Sequence, residues 1–131
     1  MNTFKATITK IQNVECLNIV NFDFAQQNLS MMSLDLSKNL QVGSEVELTA
    51  KSTHIAIAKS FEGTLSYSNQ LSAKIISINE AQLLTSIQLS CSDIICESVI
   101  TTSSSQRMNL QVNDNVTLLI QASELSIKRV L

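Results

Sequence analysis

An all-β fold made of two tandem copies of one unit, each with a single short helix, is predicted by three observations on this 131-residue sequence. The chain repeats itself. Its apolar residues alternate with polar ones almost throughout, the period of a half-buried strand. One stretch in each copy breaks that rhythm and carries the Ser and Thr residues that favour helix starts.

The repeat is visible at both ends of the unit. Leu40-Gln41-Val42-Gly43-Ser44-Glu45-Val46-Glu47-Leu48 lies over Leu110-Gln111-Val112-Asn113-Asp114-Asn115-Val116-Thr117-Leu118 at an offset of 70 residues. Asn2 to Ile11 lies over Asn69 to Ile78 at an offset of 67, so a small insertion is expected in the middle of the second copy. A unit of about 60 residues buries only about 60% of its unfolded surface, so the copies are expected to need each other or further subunits. The expected organisation is a first repeat over residues 1–60, a linker and opening segment over 61–68, and a second repeat over 69–131.

In chain order, Phe4, Ala6 and Ile8 alternate with Lys5, Thr7 and Thr9 and give the first strand. Val14 and Cys16, then Leu17 and Ile19, predict a strand with an irregularity running on to Phe24. Ser33 to Leu40 reads as the short helix of the first copy, followed by strands at Val42 to Leu48 and Ile55 to Ile57. The second copy repeats the series at Leu71 to Ile75, Leu83 to Leu89, Ile94 to Thr101, Val116 to Ile120 and Leu125 to Ile127, with a helix over Thr101 to Leu110. Four to five strands and one short helix per copy are the pattern of a small OB-like barrel. With no proline and two glycines, the turns must rely on Asn, Asp and Ser.

Composition excludes several function classes. A net charge of −2 offers no general basic field for nucleic acid or an anionic membrane. Aromatic residues are 4%, too few to stack a single strand, so OB-type single-strand binding is a remote third reading. No apolar run approaches the roughly 20 residues of a membrane-spanning helix. The start of the chain lacks the features of a secretory signal, so a cytoplasmic protein is expected. Cys16, Cys91 and Cys96 are expected to be reduced, buried small hydrophobes. Residues five apart in one strand face opposite ways, so Cys91 and Cys96 are not expected to converge.

Nothing points to an enzyme. The single histidine, His54, has no evident nucleophile to serve, acidic residues are scattered, and no phosphate loop or HExxH occurs. What recurs is a set of hydroxyl donors at equivalent points. Lys51-Ser52-Thr53 follows one strand and Gln121-Ala122-Ser123 its counterpart; Thr101-x-x-Ser104 opens a helix, and Ser66-Tyr67-Ser68-Asn69 precedes the second copy. A tetrahedral oxyanion without a proton needs N–H groups, hydroxyls and a cation around it.

Leu65-Ser66-Tyr67-Ser68-Asn69-Gln70-Leu71 resembles the L-S-A-R-N-Q-L opening of the Mop (molybdenum-binding, TOBE-like) domain. Ile100-Thr101-Thr102-Ser103-Ser104 is similar to its I-T-x-x-S, and Leu40 to Val46 carries its L-x-V-G-x-x-V, with Asn113 for Gly in the second copy. Ala50-Lys51-Ser52-Thr53 and Ile120-Gln121-Ala122-Ser123 look like its K-[SA]-[ST] segment. The match covers residues 2–59 and 69–129, so the chain resembles a free-standing di-Mop protein of the molbindin type.

The resemblance implies two tandem OB-like Mop/TOBE barrels that associate, often exchanging strands, as a homo-oligomeric trimer or dimer. It implies molybdate or tungstate as ligand, no organic cofactor and no direct cation site, and a part in molybdenum storage, homeostasis or sensing. Carried over, Lys51, Ser52, Ser66, Tyr67, Ser68, Asn69, Thr101 and Ser104 form the oxyanion site, with Ser33, Gln121, Ala122 and Ser123 as weaker candidates. Selection against sulfate would come from cavity size, and against hydrogen phosphate from its proton meeting an all-donor cage. The chain departs from the pattern where Ser68 stands for Arg, where Gln121 stands for Lys, and in Ser33-Leu34-Asp35-Leu36; the first copy lacks the S-A-R piece. One class of site per chain is expected. The alternative is a di-Mop module that has lost its ligand and acts through protein partners.

Overall fold

Alternation of buried and exposed residues lays the chain out as strands. The computed structural model describes residues 2–131. The first copy gives β1 (Asn2–Val14), β2 (Leu17–Phe24), β3 (Gln27–Ser33), β4 (Glu45–Ala50) and β5 (Ala56–Ala58). The second gives β6 (Asn69–Glu80), β7 (Leu84–Cys91), β8 (Ile94–Thr101), β9 (Asn115–Ile120) and β10 (Ser126–Val130). A helix, α1 (Thr102–Arg107), follows β8, and 3-10 turns follow β4 (Ser52–His54) and β9 (Ala122–Glu124).

The strands form two five-stranded antiparallel sheets, ordered β10-β4-β1-β2-β3 and β5-β9-β6-β7-β8. Each copy's last strand lies in the other copy's sheet. Ala56, Ile57 and Ala58 pair with Leu119, Leu118 and Thr117, while Ser126 and Ile127 pair with Thr49 and Leu48. Basic side chains latch both exchanged strands. Lys59 Nζ reaches Asp114 Oδ2 at 2.9 Å, and Lys128 and Arg129 hold the two oxygens of Glu47 at 3.5 and 3.3 Å. Burial alone would raise the Glu47 carboxyl, but the Arg129 guanidinium and the Lys128 ammonium outweigh it and hold the group below its ordinary value. Asp114 is likewise lowered, by Lys59 and by the Gln111 backbone N–H.

The copies share fine detail. Thr9 and Ile76 are the extra residues of equivalent bulges, between Ile8 and Lys10 and between Ile75 and Ser77. Both tight turns after β2 and β7 place two residues at positive φ, Ala25 with Gln26 and Ser92 with Asp93, the geometry two-residue hairpins require. Gly43 and its equivalent Asn113 both take positive φ (95° and 76°), which explains why Asn, tolerant of the left-handed region, replaces Gly there.

Three expectations change. The segment over Ser33 to Leu40 forms no helix, because Ser33 Oγ bonds both the N–H and the C=O of Asp35, and Ser37 Oγ accepts from Asn39 N–H. Such local bonds compete with helix formation. The second copy, three residues longer at this point, forms α1 instead, so the insertion is about one helical turn. The irregular strand through Cys16 is two strands reversing at Glu15 and Cys16, with Glu15 at φ 56° and Cys16 exposed. Cys91 and Cys96 do face one core, because the turn at Ser92 and Asp93 puts them on adjacent strands; burial, with each thiol near the other, pushes Cys96 up to about 12.

One core runs through both sheets. It includes fully buried Phe4, Ile8, Phe22 and Leu48 on one side and Leu71, Ile75, Leu89 and Leu118 on the other. Each such side chain contributes roughly 1.5–3 kcal/mol of burial energy. Two buried asparagines at equivalent positions tie the sheets together. Asn2 Nδ2 donates to Ala50 O and Glu97 O while its Oδ1 accepts from Glu97 N–H; Asn69 Nδ2 donates to Ile120 O and Ser30 O while its Oδ1 accepts from Ser30 N–H.

Candidate oxyanion site

The two 3-10 turns meet where the copies face each other. Their last residues, His54 and Glu124, are equivalents at the 70-residue offset, and His54 Nδ1 lies 2.7 Å from Glu124 Oε2. Two residues that a twofold relation exchanges can touch only near its axis, so this contact marks the seam of the molecule. A small cavity opens on either side of it.

The first has a volume of about 180 Å³ and is lined by Thr49, Ala50, Lys51, His54, Ser123, Glu124 and Ser126. That volume is below the roughly 300–1,000 Å³ of organic-ligand pockets. Lys51 supplies an ammonium from the end of β4, Ser123 a hydroxyl from the facing turn, and Ser126 another from the start of β10. The second cavity, of about 290 Å³, is lined by Thr53, His54, Ile55, Ala56, Tyr67, Val99, Ile100, Gln121 and Glu124. Shifting the first lining by 70 residues converts Lys51 to Gln121, Ser126 to Ala56 and Thr49 to Leu119. The cavities occupy equivalent places, and only the first has a cation; it has the hydroxyl residues Thr49, Ser123 and Ser126 where the second has Thr53 and Tyr67.

The structure brings together some of the sequence-selected residues and separates others. Lys51 and Ser123 share the first cavity, and Tyr67 and Gln121 share the second. Ser52 turns toward β8, where the hydroxyls of Ser86 and then Ser52 hold the Glu97 carboxyl below its ordinary value. Both amide hydrogens of Asn69 and its carbonyl are consumed in the inter-sheet tie, leaving that side chain no donor for a ligand. Thr101 and Ser104 cap α1: Thr101 Oγ1 accepts from Ser104 N–H and donates to Ser104 Oγ, which also accepts from Arg107. Ser66 and Ser68 are exposed on the segment before β6. Ser33 is occupied by its turn with Asp35, and Ala122 offers only its backbone. No single cavity gathers the whole set.

Sequence reading missed Thr49, Ser126 and the His54–Glu124 contact. A signal for the last was present: a histidine and a glutamate at equivalent positions of a duplicated chain are candidates to meet on a twofold axis. A larger cavity, about 590 Å³ beside Phe61, Ser72, Lys74 and Thr117, contains none of the selected residues. Among the described residues no group of three or more His, Cys, Asp or Glu side chains is placed to hold a metal ion, and no helix is long and apolar enough to cross a membrane.

No protein-family model matches the chain, and no curated protein sequence matches it. A solved structure does. The chain superposes with a TM-score of 0.90 and 19% identity on a crystal structure of the cytoplasmic molybdate-binding protein ModG with molybdate bound, over 96% of this chain and 94% of that one. At that level of identity the likeness shows the fold: the chain is mostly β with one short helix and shares the architecture of that protein.

Proposed function

We propose that this chain is a cytoplasmic binding protein for molybdate or tungstate, serving molybdenum storage, homeostasis or sensing. The observation that carries the reading is the first seam cavity, where the Lys51 ammonium and the Ser123 hydroxyl converge from opposite copies in a fold shared with a molybdate-bound protein. In this reading Lys51 offsets anion charge and the hydroxyls donate to its oxygens, as charge-assisted bonds of the stronger kind. Glu124 would repel an anion, but one of its carboxylate oxygens is turned to His54, with Nδ1 2.7 Å from Oε2. The domain reading, two Mop/TOBE repeats over 1–60 and 69–131 joined through 61–68, belongs to the same proposal. So does assembly as a homo-oligomer, in which the exposed Ser66, Ser68 and Thr101 would meet donors of a second copy.

Calorimetric titration of desalted protein with molybdate, tungstate and sulfate, in phosphate-free buffer, tests this. Saturable binding of the first two but not of sulfate is expected, and silence toward all three overturns the proposal. One observation favours the alternative of a ligand-free interaction module: the second cavity has Gln121 in place of a cation and Glu124 in its wall. A chain that oligomerises yet ignores all three anions would support that alternative.

A further inference from the structure

We infer that Thr49 and Ser126, which no family motif covers, are oxyanion ligands of the seam cavity and determine that only one of the two equivalent cavities binds. The inference rests on the oxyanion reading and deepens it. β4 points Val46, Leu48 and Ala50 into the core, so Thr49 faces the opposite side of the sheet. There it is flanked in register by Thr3 on β1 and Ser126 on β10, making a row of three hydroxyl residues across neighbouring strands. Residues directly opposite in antiparallel strands share one face, so the row presents its hydroxyls together.

Thr49 is 8% exposed, and its Oγ1 is the one buried side-chain polar atom without a hydrogen-bond partner among the described residues. A buried hydroxyl left unpaired is unfavourable and calls for an explanation. Thr49 lines the same cavity as Lys51 and Ser123, and an anion oxygen seated there would accept a hydrogen bond from its hydroxyl. The equivalent row in the other sheet reads Gln70, Leu119 and Ala56. Both hydroxyls that matter are gone from it, together with the lysine. Had Thr49 served only to fill space, an aliphatic side chain such as its counterpart's would do so without the unpaired oxygen.

Thr49→Val removes the hydroxyl and keeps the shape. Molybdate affinity, read by calorimetry, is expected to fall at least about tenfold, the loss of one hydrogen bond to a charged group. The anion-free melting temperature is expected to rise by about 2–8 °C, because an unpaired buried oxygen is removed. Thr49→Ser, which keeps the donor, should retain wild-type affinity, and Ser126→Ala should weaken binding several-fold. A fall in affinity with a rise in thermal stability is a combination that a purely structural role does not produce. Wild-type binding with an unchanged Thr49→Val would overturn this inference alone. Wild-type silence toward molybdate, tungstate and sulfate would overturn the oxyanion reading and this inference together.

Discussion

The two seam cavities share a backbone, a wall in His54 and Glu124, and a common origin in the repeat, yet differ in almost every residue that could bind charge. One carries Lys51, Thr49, Ser123 and Ser126; the other offers Gln121, Thr53 and Ala56, with Tyr67, Val99 and Ile100 filling the side, and Leu119, the counterpart of Thr49, does not line it. The fold therefore fixes where a site can be, and the side chains decide whether there is one. An ammonium and a few hydroxyls separate the proposed anion cradle from a half-apolar pocket in the same scaffold.

The strongest break of that comparison is Lys51→Ala. Molybdate affinity is expected to drop by about 10–100-fold in a titration, since a charge-assisted contact is lost, whereas Gln121→Ala in the equivalent place should leave it unchanged. The asparagine ties come next, and here the copies are expected to behave alike. Asn69→Ala strands the Ser30 N–H and two carbonyls and should cost about 1–3 kcal/mol in a denaturant melt. Asn2→Ala should cost a similar amount, and a large disparity would mean that the two sheets are not held equivalently.

A smaller difference is expected at the turn before β4 and β9. Gly43→Ala meets no atom within 4 Å, so its cost of about 1–2 kcal/mol comes from a positive φ alone. Asn113→Gly in the other copy should shift stability by less than about 1 kcal/mol.

The smallest effect at neutral pH concerns the strand latches. Because the Glu47 carboxyl sits below its ordinary value of 4.5 in the folded chain, its contribution is complete above that value. The contribution is lost as pH falls through the lowered one. Glu47→Gln should therefore flatten the acid limb of a stability profile, most visibly in the pairing of β10. The Lys59–Asp114 latch on β5 carries the same sign, so Asp114→Asn should flatten the same limb.

How much of this was legible depended on whether the signal was local. Strand after strand could be read from alternation, and the change of offset from 67 to 70 marks the place where α1 was inserted. The missing helix at Ser33 to Leu40 was not readable, because the same Ser hydroxyls that cap a helix can fold back on Asp35 and Asn39. The strand exchange was implied by the resemblance but not by the pattern, since Ala56 to Ala58 would satisfy a partner in β4 as well as in β9. For the site, Lys51 and Ser123 stand in motifs that spacing reveals. Thr49 does not: that its oxygen lacks a partner is a property of the folded neighbourhood, visible only once β1, β4 and β10 lie side by side. Asn69 shows the converse, a residue in a motif whose side chain the fold spends on holding two sheets together.

The exchange of β5 and β10 has a consequence for how such a chain can change over time. A single-copy polypeptide with this pairing could fold only as a strand-swapped twofold pair, in which every substitution alters both seam cavities at once. Joining the copies through residues 59–68 lifts that symmetry constraint. A mutation then touches one cavity and spares the other, so Gln121 and Ala56 can stand in one while Lys51 and Ser126 persist in its counterpart. Covalent fusion thus gives the protein what an identical pair can never have, two equivalent positions free to take different jobs.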